Sequence, residues 1–161
     1  MEKQTYFMSP TWGKLTLLQV REKVLSFIKG NPENTYRIVI GSDSQPSNGK
    51  GVDFITALII HRRGAGGIYF WRRIVDNKKY ARKERIFTEA TFSLAFADEL
   101  LQLFGSDGIS RYDMEIHVDI GKVGETRDMI AEIVGMVRGS GFTVKIKPDS
   151  FGASKVADRH T

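Results

Sequence analysis

Asp43, Glu89, Asp119 and Asp158 are the side chains whose types and placement could do chemistry. Asp43 follows the apolar run Tyr36-Arg-Ile-Val-Ile-Gly-Ser, so a short strand delivers its carboxylate as the chain turns out of a sheet. Between two serines it could equally be a turn-capping aspartate. Glu89 is sharper. On a helical wheel of roughly 100° per residue, Glu84, Thr88, Thr91, Ala95, Asp98 and Gln102 form one mainly polar strip. Glu89 points about 140° from the centre of that strip, among Ser93, Phe96, Leu100 and Leu103. A carboxylate on a packing face is costly unless it is paired, for instance with Arg85, or bound to metal. Asp119 closes Glu115-Ile-His117-Val-Asp119, where period-two alternation puts Glu115, His117 and Asp119 on one face. Asp158 comes one turn after Ser154, a plausible N-cap, unless it is a solvated charge; Asp149, behind Pro148, competes for the same role. His117, a lone strand histidine, reads as structural. If the four acids converge they form a cage of hard oxygen donors. Close carboxylates repel, and Mg²⁺, which prefers carboxylate oxygens and water, would neutralise them.

The elements that must position these acids follow from periodicity and turn signals. Leu15 to Lys29 has helical spacing and is stopped by Gly30-Asn-Pro. Strands are expected over Tyr36–Gly41, Val52–His61 and Ile68–Val75, joined by turns at Pro46–Gly49 and Arg63–Gly67. Short connections make these three an antiparallel meander. A helix is expected from about Ala81 to Phe104, a strand over Met114–Val118 and a helix over Thr126–Arg138. Phe142–Lys147 would be a fifth strand and Ala153–Asp158 the start of a last helix. The pattern βββαβαβα predicts an α/β fold: a mixed five-stranded sheet, three antiparallel strands and then parallel βα units, with helices on both faces. Strands one and four are natural parallel neighbours where the winding direction switches, which would set Asp43 beside Asp119. The length of 161 residues suits one domain, 1–161, in which 1–30 is an N-terminal helical extension.

With no cysteine, thiolate catalysis, disulfides and cysteine-ligated zinc are excluded. The N-terminus has no apolar core of signal-peptide type and no run is long enough to span a membrane, so a cytoplasmic protein without a membrane partner is expected. The charge is uneven. Between His61 and Arg85 nine Lys or Arg face only Asp76 and Glu84, giving that window +7 in a chain whose net charge is +5. Arg62, Arg63, Arg72, Arg73, Lys78, Lys79, Arg82 and Lys83 are therefore the candidate contacts to a polyanion. Tyr69, Phe70, Trp71 and Tyr80 are interleaved with them, either for stacking or packed inward. Gly121-Lys-Val-Gly124 lacks P-loop spacing, no G-x-S-x-G elbow occurs, and Gly64–Gly67 is a hairpin turn.

The order of elements and the four acids resemble the ribonuclease H-like superfamily. More narrowly, Ile-Gly-Ser-Asp43-Ser-Gln and Val-Ala-Asp158-Arg-His-Thr resemble a family of small, uncharacterised bacterial proteins assigned to it. The resemblance runs from about Tyr36 to the end; the N-terminal helix is an addition and little chain follows Asp158. It implies that Asp43 bridges two Mg²⁺ or Mn²⁺ ions, with Glu89 and Asp119 holding one and Asp158 the other. The expected activity is then two-metal hydrolysis of RNA, DNA or hybrid phosphodiesters. One rival is a nucleic-acid-binding module with little or no turnover, indifferent to Asp43→Asn. Another is metal-dependent phosphate chemistry on a small molecule, indifferent to charge reversal at Arg72 and Arg73.

Overall fold

The computed structural model describes residues 2–3, 6–47, 51–64 and 66–150. The N-terminal stretch supplies three short strands, β1 (Glu2–Lys3), β2 (Phe7–Ser9) and β3 (Gly13–Leu15), before helix α1 (Leu17–Gly30). α1 starts where Thr16 and Gln19 cap each other: Thr16 Oγ1 accepts from the Gln19 N–H (3.2 Å) and Gln19 Oε1 from the Thr16 N–H (2.8 Å). The meander follows as β4 (Tyr36–Pro46), β5 (Val52–Arg62) and β6 (Gly67–Asp76), paired antiparallel in continuous register. The β4–β5 turn packs so closely on β6 that a side chain at Gly51, whose φ is +106°, would collide with the Asp76 carbonyl. Helix α2 (Arg82–Phe104), strand β7 (Met114–His117), helix α3 (Ile130–Gly139) and strand β8 (Thr143–Lys145) follow, with single 3-10 turns at Arg111–Asp113 and Arg127–Met129.

One mixed sheet runs β3-β2-β6-β5-β4-β7-β8, and β1 pairs with β6 off that path. The sheet thus has eight strands among the described residues, where five were expected. The three extra strands come from the N-terminal stretch expected to be helical; at two or three residues each they are too short to show alternation. The parallel pairing is as expected. β4 lies beside β7 with Ile38 opposite Met114 and Gly41 opposite His117, so the register carried two residues further aligns Asp43 with Asp119.

Alternation sorts the sheet into two faces. Ile38 and Ile40 of β4, Leu58 and Ile60 of β5, Phe70 of β6 and Ile116 of β7 join one hydrophobic cluster. Val20 and Val24 of α1, Phe96 and Leu100 of α2, and Ile133 and Val137 of α3 belong to it as well, so the three described α-helices cover the same face. Val39, Ile55 and Ala57 point to the other face and are buried as well. The helix expected over Ala153–Asp158 lies outside the described residues. No described helix is long and apolar enough to cross a membrane.

Candidate active site

α2 is fixed over the meander by two parallel polar rungs. Ser42 Oγ lies 2.8 Å from Ser93 Oγ and 2.9 Å from Thr56 Oγ1, all three hydroxyls buried. Two residues further along β4, on the same face, Ser44 Oγ donates to Glu89 Oε2 at 2.5 Å; Glu89 is one helical turn before Ser93. The strand period of two and the helix period of about four thus set the rungs side by side. Burial along α2 follows Ile86, Glu89, Ala90, Ser93, Phe96, Ala97 and Leu100, so Glu89 does sit on the packing face.

Asp43 is placed differently from expectation at its own backbone. β4 continues to Pro46, and Asp43 is a mid-strand residue paired with Ile55 rather than a turn residue after the strand. Polar Ser44 and Gln45 extend the strand because their partners Phe54 and Asp53 in β5 continue the ladder. Asp119 follows β7 in an extension held by two backbone bonds across to the last described strand. Val118 N–H donates to the Lys145 carbonyl (2.9 Å) and Lys147 N–H to the Ile120 carbonyl (2.8 Å). That pairing brings Lys147 Nζ to 3.1 Å from Asp119 Oδ1.

Asp43, Glu89 and Asp119 line one cavity of about 100 Å³, together with Ser44, Arg82 and Arg85. Three elements far apart in sequence therefore bring three of the expected acids to one place. Burial pushes the Glu89 carboxyl up to about 8, opposed by the Ser44 hydrogen bond and Arg85 and reinforced by the charges of Asp43 and Asp119. Yet among the described residues no group of three or more His, Asp or Glu side chains is drawn together tightly enough to hold a metal ion. The carboxylates are turned to protein partners, Glu89 to Ser44 and Asp119 to Lys147. Asp158 lies outside the described residues.

His117 is buried and lies 3.2 Å from Glu115, which pairs with Arg37 at 2.8 Å. Burial holds its ring below the ordinary value, favouring neutral imidazole. Ser44 and Lys147 line or reach the site without having been singled out in the sequence, whereas Arg85 was named there only as a possible partner of Glu89. Arg85 had a signal, being one helical turn before Glu89; Lys147 had none, because its approach to Asp119 is made by backbone pairing.

The cations do not form the single patch expected. Arg72 is a correction: its side chain is buried, between the rings of Phe7 (5.0 Å) and Phe96 (4.9 Å), and pairs with Glu99 at 3.4 Å. Burial lowers its pKa. The cause is alternation, since Arg72 shares a face with Phe70 and Ile74. Arg73 turns the opposite way and pairs with Asp53 at 2.9 Å. Arg62 packs over Phe27 (4.6 Å) at the other end of the sheet, where it is registered with Tyr36. From Tyr36 to Asp43 is roughly 23 Å at strand rise, so Arg62 and its neighbour Arg63 are remote from the acids. Lys78 and Lys79 are exposed ahead of α2, while Arg82 and Lys83 in its first turn pair with Glu125 (3.3 Å) and Asp128 (2.5 Å).

The family model described as "Ribonuclease H-like" matches residues 19–161. The chain belongs to the ribonuclease H-like family. It is also 33% identical over 170 residues to the "Uncharacterized protein YkuK" of Bacillus subtilis (strain 168), covering 96% of this chain and 96% of that protein. No solved structure matches significantly. Membership fits the sheet order and points to work on nucleic acid in general terms.

Proposed function

We propose that this ribonuclease H-like protein is a divalent-metal-dependent nuclease that hydrolyses phosphodiester bonds at Asp43, Glu89 and Asp119, joined by Asp158. The observation that carries the reading is the convergence of three carboxylates from β4, α2 and the end of β7 on one small cavity. Their donor set is hard oxygen throughout, and Glu89 holds its proton in part because Asp43 and Asp119 are near. Such a group suits Mg²⁺ or Mn²⁺, two ions in the full reading. Bound there, the cations would supply an activated water and charge neutralisation at the phosphate. The protein's own residues do the rest. Ser44 orients Glu89, and Lys147 holds Asp119 until a cation replaces it. Arg82 and Arg85 are positioned to draw a phosphate into the cavity, with Lys78, Lys79 and Lys83 behind them. His117, buried against Glu115, does not line the cavity and is given no role as a general base.

A second reading, a nucleic-acid-binding module with little or no turnover, is favoured by the carboxylates' present engagement with Lys147 and Ser44. One experiment separates the two. Labelled single-stranded RNA and DNA, duplex, hybrid and junction substrates are incubated with Mg²⁺, Mn²⁺ or EDTA, with Asp43→Asn in parallel. The nuclease reading expects cleavage that requires metal and disappears in the variant. Salt-sensitive binding without cleavage in any metal, unchanged by Asp43→Asn, would instead establish the binding module.

A further inference from the structure

Beside the carboxylates lies a second, larger recess that the chemistry above does not use. It has a volume of about 480 Å³, in the range that admits a small organic ligand. Its walls come from the loop after Asp119 and from the segment around Ile146–Pro148. Val123, Ile146 and Pro148 give it apolar surfaces, Lys122 and Lys147 stand at its edge, and Asp149 is its one acid. Lys147 joins it to the reaction site, because the same ammonium group reaches Asp119. Gly121 lets that lysine lie flat along the loop, as a side chain there would meet Lys147 Cβ at 3.1 Å. Val123 is 91% exposed, an unusual position for an aliphatic residue beside a charged centre.

Aliphatic surfaces, flanking cations and contact with the proposed phosphodiester-cleaving centre describe a place for a base whose own phosphate is held by the lysines. We propose that this recess seats the nucleotide next to the scissile phosphate, with its base unpaired. The apolar walls can grip a base only when its faces are not stacked within a duplex, so the substrate class is single-stranded nucleic acid or an unpaired end or branch. Lys122 takes the adjoining phosphate, and Lys147 exchanges Asp119 for phosphate as the strand arrives. The assignment rests on the nuclease reading and adds a substrate preference to it.

The absence of cysteine permits a direct test. Val123→Cys places a single thiol on the recess wall, and Tyr112→Cys places one on a surface that is 90% exposed, before the far end of β7. Each thiol is titrated with a maleimide in Mg²⁺, with and without a short labelled single strand that carries uncleavable linkages and whose binding is followed by anisotropy. At a strand concentration about ten times its Kd, only the free fraction reacts, so modification at position 123 should slow about tenfold and that at 112 should not change. Duplex of the same sequence should protect position 123 far less. A strand that binds while both thiols react at their free rates would overturn the recess assignment and leave the nuclease reading intact. Failure of every strand to bind would overturn both.

Discussion

Glu89→Gln should make the protein more stable and inactive. Burial and the neighbouring Asp43 and Asp119 raise the folded-state pKa of Glu89 to about 8 from an ordinary 4.5. The folded protein therefore holds a proton that the unfolded chain releases between those values. Stability from this group is complete below about pH 4.5 and is lost as pH climbs towards 8. At roughly 1.4 kcal/mol per pH unit, about 3 kcal/mol has gone by pH 7. Glutamine keeps an oxygen for Ser44 Oγ and carries no charge at any pH, so the variant should not show that decline. Urea unfolding of both proteins in EDTA gives the answer. Near pH 5 the two should differ by less than about 1 kcal/mol, and near pH 7 the variant should lead by about 3 kcal/mol. Mg²⁺ or Mn²⁺ should recover much of the wild type's deficit and leave the variant unchanged, because metal displaces the proton. A gap that is constant with pH, or a variant less stable than wild type near pH 7, would refute the argument.

The scaffold and the cations give further predictions. Ser42→Ala leaves the buried hydroxyls of Thr56 and Ser93 without their shared partner, and chemical denaturation should register a loss of about 1–3 kcal/mol. Arg72→Ala removes the guanidinium from between Phe7 and Phe96 and its pair with Glu99; it should cost about 3 kcal/mol in the same assay. Fluorescence anisotropy should show no change in the salt dependence of strand binding for Arg72→Ala, since the side chain is buried. Arg82→Ala should reduce the slope of log Kd against log salt by about 0.7 for single strands, one phosphate contact, whereas Arg63→Ala should leave it as it was.

Glu89 was legible because an amphipathic helix fixes direction: a carboxylate among Ser93, Phe96 and Leu100 has to face the sheet. The parallel pairing of β4 with β7 was legible too, since a meander followed by crossovers leaves few arrangements. The basic window was misread for a related reason. Of the nine cations, Arg62, Arg72 and Arg73 lie on extended strands, which rise about 3.3 Å per residue and alternate sides, so they are separated in space from Lys78, Lys79 and the start of α2. The alternation of Phe70, Arg72 and Ile74 already contained the signal that Arg72 faces inward. Polar residues at Ser44 and Gln45 hid the last turn of β4, because a ladder is continued by its partner strand as much as by its own residues. The strands β1 to β3 are too short for any period. Lys147 reaches Asp119 through non-local backbone bonds, which no local pattern encodes.

The account stands most directly on whether the carboxylates gather a cation. Crystals soaked in Mn²⁺ with an uncleavable strand, measured near the manganese absorption edge, would locate it by anomalous scattering. The account predicts a peak between Asp43, Glu89 and Asp119, with Lys147 released from Asp119, and loss of that peak in Asp43→Asn. A bound strand with no anomalous peak among these acids, and Lys147 still on Asp119, would contradict it.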